Sequence, residues 1–324
     1  MRILLTGSTG YIAQRLLPVL LEKKHQVICC VRNKSRFDKG KYTGFDLEVI
    51  EVDFLKKESL KNIPMNIDVA YYLMHSMSSA KEDFSEAEKL TANNFKDSVG
   101  RTNAKQVIFL SGIVNSENLS KHLQSRLNVE VILKSNNYGL TTLRAGIIVG
   151  SGSASFEIIR DLVEKLPVMI APKWLNTKCQ PIGIRDVLAF LEGVLMKSYA
   201  LNMTYDIGGP EVLTYKEMLL RFAKVRGLKR WIFTVPVMTP KLSSYWLYFV
   251  TSTSYPLASS LVESMKNDVI AKPNDLQNRI DIMPMNYEQA IELAFGKIEQ
   301  NQVISRWRDA MKTEEYPARF IKLM

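Results

Sequence analysis

The chain has 324 residues, of which 46% are hydrophobic and 23% are charged, and its formal net charge is +10. This composition is typical of a globular protein and excludes a disordered or fibrous chain. The positive charge could attract nucleic acid, an anionic membrane or phosphorylated ligands, but the lysines and arginines are scattered along the chain. That pattern favours a soluble basic protein over a nucleic-acid binder.

The three cysteines indicate the compartment. Cys29 and Cys30 are adjacent and cannot easily bridge each other, and Cys179 makes the number odd. An odd number is a poor disulfide framework, and no metal-ligand spacing is present. No basic stretch followed by a long apolar run opens the sequence, so we expect no signal peptide. We therefore expect reduced thiols in a cytoplasmic protein without a bound metal.

The first predicted elements are a strand, Arg2–Thr6, and an amphipathic helix, Tyr11–Lys24. Between them lies Gly7-x-x-Gly10-x-x-Ala13. A strand that turns directly into a helix points the helix's free N–H groups and positive dipole end at one place, where a phosphate can bind. Gly7 permits the tight turn, Gly10 lets the backbone approach a pyrophosphate, and Ala13 is small enough for close helix–strand packing. The motif predicts a dinucleotide site.

The second predicted strand, Gln26–Val31, ends where a dinucleotide fold meets the adenosine ribose. An acidic residue there selects NAD, whereas a basic residue accommodates the 2′-phosphate of NADP. Val31 occupies the acidic position and Arg32 follows it, with Lys34 and Arg36 close behind. This charge favours NADP(H), because arginine makes planar bidentate contacts with phosphate. The alternative is a solvated basic turn.

The third and fourth predicted strands are 47–52 and 68–73. Asp53 follows the third, where it could bond the adenine amino group or cap a helix that begins near Lys57. His75 lies in the loop after the fourth, at the carboxyl end of a central strand, where α/β sheets bind ligands. A catalytic His75 and a hydrogen-bonded structural His75 remain equal alternatives.

Strands and helices alternate through the rest of the first half, which indicates a doubly wound parallel sheet. The second half is less regular: it includes an apolar link at 167–172, a Thr214–Glu217 capping box and an aromatic stretch at 246–261. Pro256 interrupts that stretch, so a helix pair beside a ligand cleft or a dimer contact is favoured over a membrane-surface element. The other predicted elements are helix 84–100, strand 106–110, a helix containing 119–126, strand 140–144, helices 155–166, 184–197 and 214–227, and strands 204–207 and 231–237.

Seven motifs together resemble one known family. They are Thr6–Ala13, Tyr71–Met77, Ala92–Phe95, Leu119–Arg126, Leu143–Glu157, Leu166–Met169 and Gly209–Leu213. The chain resembles the atypical short-chain dehydrogenase/reductases, in particular the bacterial NAD(P)-binding proteins of the YbjT type. These are close to the NmrA-like regulators and to the nucleotide-binding accessory subunit of respiratory complex I.

The resemblance implies an α/β fold: a doubly wound, parallel Rossmann sheet in residues 1–175 with a small C-terminal α/β lobe in 176–324. The lobe is expected to be partly interleaved with the sheet and to cover the nicotinamide and substrate end. The implied cofactor-binding residues are Gly7, Ser8, Thr9, Gly10, Tyr11, Ile12, Arg32, Asp53, Phe54, Leu73, Met74, His75, Asn94, Ala145 and Gly146. Ser111 occupies the position of the family's catalytic serine, and Asn94 that of its helix asparagine.

One departure from the family concerns catalysis. Typical members carry Tyr-x-x-x-Lys in the helix after strand five, and here the matching spacing is His122-x-x-x-Arg126. Residues four apart share a helix face, so both side chains could reach the cofactor. Histidine can act as a general acid or base, and arginine can hold a ribose or an anion. A substitute dyad and a helix without catalysis both remain open.

Two functions follow as hypotheses. The first is an NADPH-dependent reductase or isomerase acting on an unknown small carbonyl compound. The second is a dinucleotide-binding sensor or assembly protein without chemistry, which the missing Tyr and Lys support. We expect a dinucleotide as the partner in both cases, a monomer or homodimer, and neither nucleic acid nor a membrane surface as the favoured partner.

Overall fold

The computed structural model describes residues 1–74, 84–115, 120–235, 262–263 and 265–299. Within them, seven parallel strands form one central sheet in the order β11–β6–β5–β4–β1–β2–β3. The strands of this sheet are β1 (Arg2–Leu5), β2 (Gln26–Val31), β3 (Leu47–Glu51), β4 (Val69–Tyr72), β5 (Gln106–Gly112), β6 (Gly139–Ala145) and β11 (Thr204–Ile207). The expected doubly wound Rossmann architecture is therefore confirmed.

Helices cover both faces of the sheet, and smaller two-stranded pairs are formed by strands that follow β6 in the chain. Among the described residues, the α-helices are α1 (Tyr11–Glu22), α2 (Phe84–Val99), α3 (Lys121–Leu133), α4 (Ala154–Lys165), α5 (Ile184–Gly193), α6 (Tyr215–Val225), α7 (Leu276–Arg279) and α8 (Tyr287–Glu299). The remaining strands are β7 (Ile148–Val149), β8 (Val168–Pro172), β9 (Lys178–Cys179), β10 (Ile182–Gly183), β12 (Leu213–Thr214) and β13 (Trp231–Val235). The small pairs are β7–β10, β9–β12 and β8–β13.

Each face of the central sheet buries its own apolar cluster. On one face, Leu16 and Leu20 of α1 meet Val187 and Leu191 of α5 over the strands. On the other, α2 and α3 cover the sheet with Phe95, Val99, Val129 and Leu133. Because strands β1, β2, β4 and β5 are buried on both sides, they are continuous apolar runs in the sequence.

A third apolar cluster holds the second half together. Phe156 of α4, Phe222 of α6 and Phe295 of α8 meet with ring centroids 5.3 to 5.6 Å apart. Aromatic rings at such separations contribute packing beyond their buried area. Thr214 caps α6, and the capping box with Glu217 predicted from the sequence is present.

Elements from the second half of the chain also complete the central sheet and its helical cover. Strand β11 adds to the central sheet beside β6, and α5 packs on α1, so chain beyond residue 175 contributes both an edge strand and a covering helix. One prediction was wrong: residues 167–172 are not merely a link, because 168–172 form strand β8, which pairs in parallel with β13. Across the described residues, no helix has both the length and the apolar character that a bilayer crossing requires.

Candidate functional site

The glycine loop lies at the topological switch point of the sheet, between the carboxyl ends of β1 and β4. Gly7 has a φ of +64°, and a Cβ atom there would lie 2.5 Å from the carbonyl oxygen of Leu73. The backbone N–H of Gly10 donates to the Gly7 carbonyl at 2.7 Å. A side chain at residue 7 would therefore force the β1 and β4 loops apart, at the place where open α/β sheets bind ligands.

The N-terminus of α1 is free to bind an anion. Its N-cap residue is Gly10, and no side chain caps the first turn. The neighbouring hydroxyls serve the loop itself: Ser8 Oγ donates to the Leu5 carbonyl at 2.7 Å, and Thr6 Oγ1 donates to the Tyr71 carbonyl at 2.8 Å. Ser8, predicted to bind cofactor, is thus buried and shapes the turn. The uncapped N–H groups and the helix dipole remain available for a pyrophosphate.

Tyr11 connects this loop to the second half of the chain. Its hydroxyl would lie 2.6 Å from a Cβ on Gly150, and the Arg15 guanidinium stacks over its ring at 3.9 Å. Arg15 in turn donates to the Ser151 carbonyl at 2.8 Å. Burial raises the pKa of Tyr11 to about 12, and the positive charge of Arg15 opposes this shift. The Tyr11 side chain therefore packs beneath the 150–153 loop, and its backbone faces the glycine turn.

An exposed cation, Arg32, lies at the predicted adenosine end. Arg32 follows β2, is exposed, and takes part in no hydrogen bond or ion pair with described residues. Asp53 accepts from the Leu55 N–H at 3.1 Å, so the carboxylate folds back on its own turn. It does not cap the next helical turn, whose N-cap is Lys56 without a side-chain bond, and that alternative was wrong.

Asn94 and Phe54 hold the loop after β3 in place. The Asn94 side-chain amide donates to the Phe54 carbonyl at 2.7 Å, and the Phe54 ring packs against Phe95 with centroids 5.7 Å apart. Both side chains are buried. The two predicted cofactor residues therefore fix the loop after β3, at the predicted adenine side.

Ser111 lies near the carboxyl end of β5 with 6% of its surface exposed, and its Oγ atom has no hydrogen-bond partner in the described part of the chain. The hydroxyls of Tyr11, Thr142, Tyr199 and Tyr287 are also buried without a partner among the described residues. At such a hydroxyl, a ligand or a water can complete the bonding. His75 and the side chain of His122 lie outside the described residues, although the backbone of His122 belongs to α3.

Arg126 is fully engaged with the protein. Its guanidinium donates to the carbonyl of Leu110, near the end of β5, and at 3.3 Å to the carbonyl of Met74, which follows β4. Burial lowers the pKa of Arg126, and the nearby Glu88 carboxylate opposes this shift. Ser125 Oγ donates to the same carboxylate. The side chain therefore joins two strand ends.

Ala145 and Gly146 close the site beside β6. The Ala145 carbonyl accepts from the Ile113 N–H at 3.2 Å, and a Cβ on Gly146 would lie 3.2 Å from the Gln180 carbonyl. Gln180, which the sequence did not single out, donates to the Gly209 carbonyl at 2.7 Å and accepts from the Ala271 N–H at 3.0 Å. Its only signal in the sequence is its place before the α5 helix.

These features fit a dinucleotide. The crowded glycine turn and the uncapped N-terminus of α1 follow β1. Arg32 follows β2, and the unpartnered Ser111 hydroxyl lies near the end of β5, so all of them lie at the carboxyl edge of the sheet. Because the strands lie in the order β5–β4–β1–β2, a reacting group, a pyrophosphate and a ribose phosphate are expected along this edge in that order.

Comparisons with known proteins agree with this geometry. Residues 7–148 match the family model described as NAD(P)H-binding. The chloroplastic divinyl chlorophyllide a 8-vinyl-reductase of Arabidopsis thaliana is 25% identical over 254 residues, which are 72% of this chain and 60% of that protein. The chain thus spans about three fifths of that relative's length.

The chain is also similar to a subunit of NADH dehydrogenase and to a reductase of known structure. The mitochondrial NADH dehydrogenase [ubiquinone] 1 alpha subcomplex subunit 9 of Arabidopsis thaliana is 22% identical over 296 residues, covering 86% of this chain and 73% of that one. The crystal structure of Citrobacter sp. triphenylmethane reductase complexed with NADP(H) superposes with a TM-score of 0.71 and 17% identity, over 91% of this chain and 100% of that one. The latter likeness shows the fold alone.

Proposed function

We propose that this chain, whose residues 7–148 match an NAD(P)H-binding family model and whose motifs resemble the atypical short-chain dehydrogenase/reductases, is an NADPH-dependent oxidoreductase or isomerase acting on a small carbonyl compound. Residues 1–175 form its cofactor domain, and residues 176–324 contribute the lobe over the substrate end. We also propose a cytoplasmic monomer or homodimer.

The observation that carries the proposal is the Ser111 hydroxyl. It is buried, has no partner among the described residues and lies near the carboxyl end of β5. A hydroxyl in that state can donate to a substrate carbonyl oxygen as negative charge develops there, and a dry site strengthens the bond. Bound NADPH would supply the hydride. His122, one helical turn before Arg126, is the proposed proton donor.

Arg32 supports the choice of NADP(H) over NAD(H). Its guanidinium is exposed after β2 without an ion-pair partner in the described part of the chain, so a 2′-phosphate would not compete with an existing carboxylate. A bidentate guanidinium–phosphate pair is among the stronger charge-assisted interactions.

The experiment measures NADPH consumption on a panel of aldehydes, ketones and quinones with wild type, Ser111→Ala and a control, Thr142→Val. Thr142 Oγ1 is also buried without a partner, but it lies in the middle of β6. We expect Ser111→Ala to lower kcat/KM by about 10²- to 10³-fold, the usual effect of losing one oxyanion donor. NADPH affinity, measured by calorimetry, should be unchanged. Equal turnover in all three proteins would exclude the role of Ser111.

A second function, an NADP(H)-binding sensor or assembly subunit without chemistry, is favoured by Arg126. Where the family has a lysine that holds the ribose, this guanidinium is bound to two backbone carbonyls. The likeness to a subunit of NADH dehydrogenase supports the same alternative. Tight NADP(H) binding with no turnover on the whole panel would favour it, whereas robust turnover of a physiological carbonyl would exclude it.

A further inference from the structure

One face of the small sheet formed by β8 and β13 is apolar and open to solvent. Val168 pairs with Trp231, and Ile170 pairs with Phe233, so all four side chains lie on the same side. Their exposed fractions are 50%, 55%, 60% and 59% in that order. These four residues are called the β8–β13 face below.

The folded chain cannot turn this face inward. Side chains alternate along a strand, and the opposite side of the same two strands packs Met169, Ala171 and Ile232 into the apolar cluster of the second half. A shift of one residue would bury the exposed four only by exposing those three. Four adjacent large apolar side chains on a surface mark a contact site more often than chance.

Cations stand at both ends of the face. Lys229 precedes β13 and Lys173 follows β8; both are exposed and form no ion pair with described residues. Glu164, the nearby carboxylate at the end of α4, is already paired with Arg226 at 3.4 Å. Arg230 is used internally, since it donates to the Val163 carbonyl at 2.5 Å. The free charge around the face is therefore positive.

We propose that the β8–β13 face docks the protein on an anionic lipid bilayer. Tryptophan and phenylalanine are favoured at the depth of lipid headgroups, where an apolar ring can enter the acyl boundary. Lysines at the rim can extend to the phosphates above it. Each lysine near an anionic surface adds attraction that salt screens. The net charge of +10 attracts the chain to such a surface.

Other occupants fit less well. A second copy of this chain, placed face to face by a two-fold axis, would bring Lys173 and Lys229 of the two copies together, and like charges oppose that contact. Nucleic acid would gain nothing from Val168 and Ile170. This proposal is independent of the cofactor site.

The test uses the full chain and sedimentation with vesicles of phosphatidylcholine alone or mixed with phosphatidylglycerol. Wild type should bind the mixed vesicles, with weaker binding at high salt. The double variant Trp231→Ser/Phe233→Ser should bind the mixed vesicles about tenfold or more weakly, because it lacks the two aromatic rings whose transfer from water to lipid favours binding. Met283→Ser is the matched control, since Met283 is 94% exposed and lies outside the face. NADPH titration and thermal unfolding of each variant confirm that it is folded.

A charge-reversal variant distinguishes binding to anionic lipid from non-specific adsorption to any vesicle. The double variant Lys173→Glu/Lys229→Glu should abolish the preference for anionic vesicles. Lys105→Glu should keep that preference, because Lys105 is exposed just before β5 and lies outside the β8–β13 face. The proposal is overturned if wild type binds neither vesicle, or if the ring variant binds as well as wild type. It is also overturned if sedimentation velocity shows a wild-type dimer that the ring variant converts to monomer, since the face would then be a contact between copies.

Discussion

The guanidinium of Arg126 lies 4.7 Å above the centre of the Phe109 ring, in the interior between β5 and α3. Together with its bonds to the Leu110 and Met74 carbonyls, this contact gives Arg126 a structural role at the strand ends. A cation that lies on an aromatic face and satisfies two backbone acceptors is costly to remove.

We expect Arg126→Met to lower the free energy of unfolding by about 2–4 kcal/mol, because two carbonyls lose their hydrogen-bond donor and the Glu88 carboxylate loses a nearby positive charge. Arg126→Lys should recover part of that loss. Chemical denaturation measures the stability, and calorimetry on the folded variants measures NADPH affinity. If Arg126 holds the cofactor ribose instead, affinity will fall far more than stability, which would contradict the structural role.

Gly7→Ala should destroy the cofactor site. The new methyl would lie 2.5 Å from the Leu73 carbonyl oxygen, so the β1 and β4 loops must separate. Gly227→Ala is the control, because Gly227 has nearly the same φ, +65°, with open space around it. Both variants carry left-handed strain, and the overlap should cost Gly7→Ala about 1–3 kcal/mol more, with NADPH binding lost. Equal stabilities and retained binding would show that the turn has room.

Arg32→Ala should remove the cofactor preference. Calorimetric titration with NADPH and NADH is expected to show NADPH affinity falling about ten- to a hundredfold, as for a lost charged hydrogen bond, and NADH affinity unchanged. Lys105→Ala, which removes an exposed cation just before the amino end of β5, is the control for a general loss of positive charge. If both cofactors weaken equally, Arg32 does not contact the 2′-phosphate, and the basic turn is only solvated.

Tyr11 should make stability fall at alkaline pH. Its folded pKa, about 12, exceeds the ordinary value of 10.0 because the ring is buried. Above pH 10 the unfolded chain therefore ionises first, and the contribution of neutral Tyr11 is lost as pH rises toward the folded pKa. Relative to Tyr11→Phe, wild type should lose about 1 kcal/mol between pH 9 and 11. Parallel stability curves for the two proteins would contradict the burial effect.

The first half of the chain could be predicted closely because its signals are local. Glycines after β1 and apolar runs bounded by turns place most strands within one or two residues of their observed ends. Strand β8 was missed because Pro167 precedes it, Pro172 ends it, and its partner β13 begins long after it in the sequence. A parallel pair leaves no hairpin signal.

The site was harder to predict than the fold. The sequence spacing predicted that Arg126 shares a helix face with His122. Its hydrogen-bond acceptors, the carbonyls of Met74 and Leu110, are distant in sequence and come close to it only in the folded sheet. The same holds for Gln180, whose partners Gly209 and Ala271 are distant in sequence. The missing hydrogen bond of Ser111 is likewise a property of packing, which no sequence pattern encodes.

The placement of β11 has a consequence for synthesis of the protein. As the chain leaves the ribosome, β6 is complete at residue 145, but its open edge is paired only when residues 204–207 have been made. Through that interval the nascent sheet presents unpaired N–H and C=O groups, the kind of edge on which chains associate wrongly. A chaperone that shields this edge would raise the yield of folded protein more than one acting on the finished chain.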